Sequence, residues 1–301
     1  MRKILENSIA WCLISMARTS DKDAYRRAVD KATKDPHRPP KEKHVLTLFS
    51  AKSAQQCKSV REILERRLAL AHSWQIALNT LSLIHRIITA AHPDFTIDLN
   101  ILLNSSDFQN ITTFTDKSNK HAAQSVRNYA LYLQARLKYH LVSRSTGSLK
   151  SKDLLQQVGA LQALLTLLFD CIPPNGNLVQ NPLVQYAVEL LLRDCGTIYS
   201  EISDYISKIV ELFFEMPGGQ NVVALDIYKS HLQQISVLRE MQRFVSPYTN
   251  VELPVPPMAL GSSSMVEIME EHINRKKEIE ANATVWQSKS ASFRRPRPLD
   301  N

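Results

Sequence analysis

The stretch "REILERRLALAHSWQIALNTLSLIHRII", residues 61–88, decides the fold. Apolar residues recur in it three and four apart: Ile63, Leu64, Leu68 and Leu70, then Trp74, Ile76, Ala77, Leu81, Ile84 and Ile88. That spacing draws one apolar stripe along a helix, whereas a half-buried strand would alternate every second residue. Two helices, over 56–71 and 73–91, account for it. The same spacing continues outward and predicts further helices over 2–17, 22–34, 40–51, 94–104, 121–143, 151–171, 181–215, 219–245 and 263–283.

Breaks fall where turn chemistry requires them. "HPDF" at 92–95, "CIPPNGN" at 171–177 and "MPGGQN" at 216–221 separate neighbouring helices. "SRSTGSLKSKD" at 143–153 reads as a mobile polar loop, and the four prolines of "SPYTNVELPVPPMALGSSS", 246–264, predict an extended crossing of the surface. With only 7 glycines, the chain lacks the positive-φ turns on which hairpins depend. No fixed repeat period emerges. The expectation is an all-α fold: a superhelical stack of about ten antiparallel helices in one domain over 1–283, followed by a short disordered basic tail over 284–301.

Composition narrows the function. Cysteines at 12, 57, 171 and 195 form no CxxC pair and no ligand spacing with histidine, so neither a zinc site nor a disulfide framework is expected. There is no GxSxG, HExxH, Walker loop or GxGxxG, and no enzyme activity, cofactor or metal is expected. "MRKILENSIAWCLISMARTS" superficially resembles a signal peptide, but Glu6 and Asn7 interrupt its apolar stretch. No segment approaches the roughly 18 consecutive apolar residues of a membrane span. A cytosolic protein with at most peripheral membrane contact is the expectation.

The net charge of +8 is unevenly placed. Residues 22–44 hold eight Lys/Arg against four acids, and residues 284–301 hold Lys289, Arg294, Arg295 and Arg297 against Asp300. The remainder is nearly neutral, so the basic character is two local patches suited to phosphate-rich partners. Within "KATKDPHRPPKEKH", 31–44, Lys31 and Lys34 fall in the last turn of a helix, where cations suit the dipole. Lys41, Lys43 and His44 fall in the first turn of the next, where each cation costs roughly a few tenths of a kcal/mol and Glu42 offsets this only in part. A phosphorylated ligand reverses that sign, because first-turn N–H groups and ammonium groups both favour it. Arg27 shares a helix face with Lys31 at i, i+4 and joins the candidate site on that ground. A solvated basic loop is the alternative reading.

The spacing of Lys31, Lys41, Lys43 and His44 follows K-x9-K-x-[KR]-[HY], which resembles the phosphoinositide motif of the ANTH-domain clathrin-assembly adaptors, its plant branch in particular. "SWQIALNTLSLIHRII" resembles the family's Trp-containing helix, "FTDKS" its FxDxS turn, "VRNYALYLQARL" its R-x-Y-x-x-Y-L helix, and "VELFFEMPGGQNVVALDIYKSHL" its ExxFxM…ALDIYK segment. These occur in the family's order over roughly residues 21–280. The resemblance implies an ENTH/VHS-like superhelical ANTH domain acting as a membrane adaptor in clathrin-coated vesicle assembly. Its headgroup ligands for phosphatidylinositol 4,5-bisphosphate would be Lys31, Lys41, Lys43 and His44. Localisation at plasma-membrane coated pits and clathrin-coated vesicles is implied, with the Golgi as a further site.

The resemblance also implies a groove for a VAMP-type SNARE helix between "DYISKIVELFFEM" and "DIYKSHLQQISVLREM", with Val210 and Ile235 as groove positions; ordinary core packing predicts the same residues. Ile4, Leu5, Ile9, Cys12, Leu13 and Met16 form an apolar face read as packing on the core rather than lying in a membrane interface. Many relatives carry a long tail of clathrin- and adaptor-binding motifs; with the sequence ending at 301, direct clathrin or adaptor-complex recruitment is not expected. The one "DLL", at 153–155, opens a helix where both leucines should be buried. Two other readings remain: a basic module binding nucleic acid, disfavoured by the lack of interleaved aromatics, and a scaffold with a degenerate lipid site.

Overall fold

The computed structural model describes residues 21–90, 93–143, 151–254 and 262–292. Among these there is no strand. The helices are α1 (21–33), α2 (Glu42–Phe49), α3 (Ala54–Ala69), α4 (Trp74–Ala90), α5 (Pro93–Leu103), α6 (Ser106–Thr112), α7 (Lys120–Ser143), α8 (Ser151–Cys171), α9 (Gly176–Val179), α10 (Pro182–Leu212), α11 (Gly218–Val245) and α12 (Ser262–Ser292). A 3₁₀ turn, Phe213–Glu215, follows α10.

Helix starts are written in the local sequence. Ser53 and Gln56 form a capping box on α3, Ser105 caps α6, and Asn181 caps α10 with Pro182 in its first turn. The start of α4 is capped at long range: Asp116, in "FTDKS", accepts the Trp74 N–H at 2.9 Å and is itself held by the N–H and hydroxyl of Ser118. Arg127, in "VRNYALYLQARL", donates to the Phe114 carbonyl at 2.6 Å and fixes the same turn.

The stack grows by neighbours. Helix α3 contacts α4, α5 and α6; α4 contacts α7 and α10; α8 lies against α7, α10 and α11; and α11 carries α12. One continuous core runs through it, from Val29, Leu64 and Ile84 to Tyr132, Leu168, Ile202 and Leu238. At its centre three helices meet on a charge. Asp194 of α10 accepts hydrogen bonds from His85 Nε2 of α4 at 3.3 Å, from Tyr132 Oη of α7, and from Arg136 Nε and Nη2 of α7 at 3.0–3.1 Å. His85 Nδ1 in turn meets Tyr129 Oη at 2.7 Å.

Four differences from the sequence expectation have physical causes. Helix α6 falls between the helices expected over 94–104 and 121–143, where no helix is predicted, because its seven residues are too short to show a period; only Phe108 and Ile111 bury. The four-residue α9 lies inside the "CIPPNGN" break, where Asn175 caps it. The helix expected over 181–215 ends at Leu212, and its last three residues tighten into the 3₁₀ turn. Helix α12 continues to Ser292, into the stretch read as a disordered tail, because a helix that leaves the core has no need of an apolar stripe.

Helix α8 is long and apolar enough to cross a membrane, contrary to the expectation that no segment comes near. Its apolar residues are spent on the core instead, Leu154, Leu155, Val158, Leu161, Leu165 and Leu168 all being buried. The leucines of "DLL" are among them, as expected. The helix predicted over 2–17 with its apolar face, the centre of the 143–153 loop and residues 293–301 lie outside the described residues.

Candidate functional site

The basic stretch forms the junction between α1 and α2, and three contacts from below hold it. Arg67 of α3 donates through Nε to Thr33 Oγ1 at 2.6 Å and through Nη2 to the Thr33 carbonyl at 3.2 Å, closing the C-terminal end of α1. Such a cation on a terminal carbonyl satisfies a group the helix leaves open. Asn79 of α4 donates to the Asp35 carbonyl at 3.3 Å. Asp35 then accepts the His37 N–H at 2.9 Å, a side-chain turn that sends the chain back through buried Pro40 to α2.

Lys41 is the N-cap of α2, with extended backbone (φ −70°, ψ 134°) and no side-chain cap. Its carbonyl accepts the His44 N–H at 2.9 Å. Val45 and Leu48 are buried and seat α2 against α4. Lys31, Lys41 and Lys43 are exposed and His44 is half-buried.

The four residues are linked electrostatically through His44. The His44 imidazole is held below its usual pKa by burial first, then by the charges of Lys43, Lys31 and Lys41. Cations from two helices thus bear on one ring, with no carboxylate among the influences on it. Arg27, one turn before Lys31, is exposed.

Glu42 departs from expectation. Read from sequence, it offsets the neighbouring lysines in part; in the structure both its oxygens are taken by Arg86 of α4, Nη1 to Oε2 at 2.9 Å and Nη2 to Oε1 at 2.8 Å. Arg86 also donates to Tyr186 Oη of α10 at 3.1 Å and lies over the Phe49 ring, 5.6 Å from its centroid. Sequence reasoning missed Arg67, Asn79 and Arg86. For Arg86 a signal existed: apart from the neighbouring histidine, it is the one basic side chain in the otherwise uncharged α4.

A second concavity, about 390 Å³, lies between α10 and α11, lined by Tyr199, Ile206, Tyr228, Leu232 and Ile235 among others. Val210 and Ile235 are both half-buried against the core; Ile235 also lines this concavity, and Val210 is not among its lining residues. His231 stacks on Tyr199 at 5.8 Å, and burial pushes its imidazole down to about 4. Among the described residues no cluster of His, Cys, Asp and Glu is arranged to hold a metal ion, and Cys57, Cys171 and Cys195 are buried and in no disulfide.

Comparison with known proteins places these features in a family. A sequence model of the ANTH domain matches residues 24–275. An Arabidopsis thaliana protein named for clathrin assembly is 33% identical over 276 residues, covering 82% of this chain and 46% of the relative. The clathrin coat assembly protein AP180 of Mus musculus is 27% identical over 274 residues, covering 83% of this chain and 29% of the relative. The chain therefore spans less than half the length of either. Among solved structures, the ENTH domain of epsin-2 in complex with phosphatidylinositol 4,5-bisphosphate superposes with a TM-score of 0.58 at 14% identity, over 78% of this chain and 98% of that one. Helical ANTH and ENTH tubules on membranes containing the same lipid superpose with a TM-score of 0.60 at 17% identity, over 81% of this chain and 98% of that one. At such identity the likeness is one of fold.

Proposed function

The chain belongs to the ANTH domain family, and from that premise we propose that it is a peripheral membrane adaptor of clathrin-coat assembly that binds phosphoinositide headgroups, phosphatidylinositol 4,5-bisphosphate foremost, through Lys31, Lys41, Lys43 and His44. One observation carries the reading: three exposed lysines at two neighbouring helix ends flank half-buried His44, and their charges act on its imidazole, while the adjacent carboxylate is bound to Arg86. The uncapped first turn of α2 adds backbone N–H donors to the same place. The names and titles of relatives and structural neighbours support the lipid and the coat. An exposed site of this kind binds weakly alone and is salt-sensitive, so avidity on a membrane is part of the proposal.

Co-sedimentation with vesicles tests it. Binding to vesicles carrying phosphatidylinositol 4,5-bisphosphate is expected to fall sharply in Lys41→Glu/Lys43→Glu. Equal binding to vesicles of matched total charge without phosphoinositide overturns the headgroup site, and tight oligonucleotide binding at physiological salt favours the nucleic-acid reading instead. The groove holding Ile235 supports a further role, the docking of a VAMP-type SNARE helix: its apolar wall lies between two long helices, as a helix-in-groove contact needs. A SNARE-helix peptide should then lose binding to Ile235→Ser, and unchanged binding removes that role.

A further inference from the structure

Glu42 poses a difficulty for any anion site here, because it sits between Lys41 and Lys43 at the first position of α2. An acidic side chain there ordinarily turns toward the helix N-terminus or toward the flanking ammonium groups. Those are the groups an incoming phosphate would use. Left to itself, Glu42 would act as a tethered competitor.

The geometry instead commits it to Arg86, through two parallel hydrogen bonds of 2.8 and 2.9 Å. A guanidinium matches a carboxylate in this fork, which a lysine could not do. Arg86 is itself positioned from two sides, by Tyr186 Oη at 3.1 Å and by the face of Phe49. Its side chain is 21% exposed, against 56% for Glu42, so the clamp is built from the protein body outward. The other nearby acid of the junction, Asp35, is engaged by the His37 N–H and lies 3.9 Å from Arg38.

We infer that Arg86 is a positioning residue of the anion site: by holding both oxygens of Glu42 it keeps that carboxylate off the lysine cluster, so that phosphate meets the full charge of Lys31, Lys41 and Lys43. This rests on the headgroup reading above and deepens it. Arg86 touches no ligand on this account; it acts through Glu42.

Two substitutions that break the same clamp have opposite consequences, which separates this role from mere support of α2. Arg86→Gln frees a charged Glu42, whereas Glu42→Gln breaks the clamp and leaves no carboxylate to compete. On phosphatidylcholine vesicles doped with phosphatidylinositol 4,5-bisphosphate, Arg86→Gln is expected to weaken binding roughly three- to ten-fold at about 0.1 M salt, the scale of one unscreened charge near the headgroup, with the loss shrinking as salt rises. Glu42→Gln should bind at least as well as the parent, and Arg86→Gln/Glu42→Gln should recover parental binding. Parental affinity in Arg86→Gln, or a loss in Glu42→Gln equal to that in Arg86→Gln, overturns the inference. Should Arg86→Gln fail to fold, weakened binding by Glu42→Gln remains a refutation. Lys41→Glu/Lys43→Glu, run alongside, identifies failure of the headgroup site itself, since only that failure leaves its binding intact.

Discussion

Replacing Asp194 with Asn tests whether the buried charge at the centre of the stack holds α4, α7 and α10 together. Its side chain is 4% exposed, and its partners come from two other helices. The substitution keeps shape but removes the charge, and it turns an NH₂ group toward the Arg136, Tyr132 and His85 donors. Arg136 is then left uncompensated. Breaking a buried pair from one side costs about 3–5 kcal/mol. The Arg136 side chain is 17% exposed and can recruit some water, which places the cost near the lower end, about 3 kcal/mol. At about 2–4 °C per kcal/mol for a large domain, the thermal midpoint should drop by about 6–12 °C at pH 7.

The pH dependence carries its own sign. Burial would raise the Asp194 carboxyl, but the hydrogen bond from His85 and the charge and hydrogen bonds of Arg136 outweigh it and hold the group well below the usual carboxylate range. With the folded value depressed below an unfolded value of about 3.9, the stabilisation is complete above that value and is lost as pH falls toward the folded one. The gap between parent and Asp194→Asn, followed by circular dichroism melts, should therefore be constant above about pH 5 and close in stronger acid. A variant melting within about 2 °C of the parent at neutral pH, where about 6 °C or more is expected, would refute the idea that this network ties the helices. Adding Arg136→Met to Asp194→Asn should recover part of the loss, since no buried charge is then left unpaired while the amide oxygen still accepts from Tyr132 or His85.

Two further outcomes concern the junction of α1 and α2. Because burial and three lysines hold His44 below its usual pKa, acidification from neutral pH should strengthen binding to phosphoinositide vesicles by adding a cation to the cluster, and His44→Gln should flatten that dependence. Lys41→Ser supplies the hydroxyl acceptor missing at the N-cap of α2; it should raise stability by about 0.5–1 kcal/mol in denaturant titration while weakening vesicle binding. A variant that gains neither acceptor nor stability would show that the cap position is not limiting.

How much of this was legible in the sequence follows from the range of each interaction. Helix existence depends on local spacing, and α3, α4, α7, α8, α10 and α11 lie close to where Ile63, Trp74, Leu161 and their neighbours put them. Short α6 and the end of α12 were missed because neither is set by a long apolar stripe. The candidate binding residues were legible too, since cations at a helix start are anomalous by dipole reasoning and their spacing follows a known motif. Their supports were not. Arg67 reaches Thr33, Asn79 reaches Asp35 and Arg86 reaches Glu42 across 34, 44 and 44 residues of sequence. No local rule pairs residues at that separation. The same holds for Asp194, the buried acid of α10, whose partners lie 58 to 109 residues away.

Those long-range supports explain how a poor helix start survives. The Lys41 side chain cannot accept a hydrogen bond, its positive charge opposes the dipole, and Glu42, the one first-turn residue suited to the dipole, is committed to Arg86. By local criteria α2 should fray. It is held instead by the burial of Val45 and Leu48, which acts away from the exposed lysines. Stability therefore comes from one face of the helix and leaves the other free to keep unfavourable charge. A local rule broken at one place, and compensated by contacts that point elsewhere, is the pattern expected of a binding site rather than of a solvated loop.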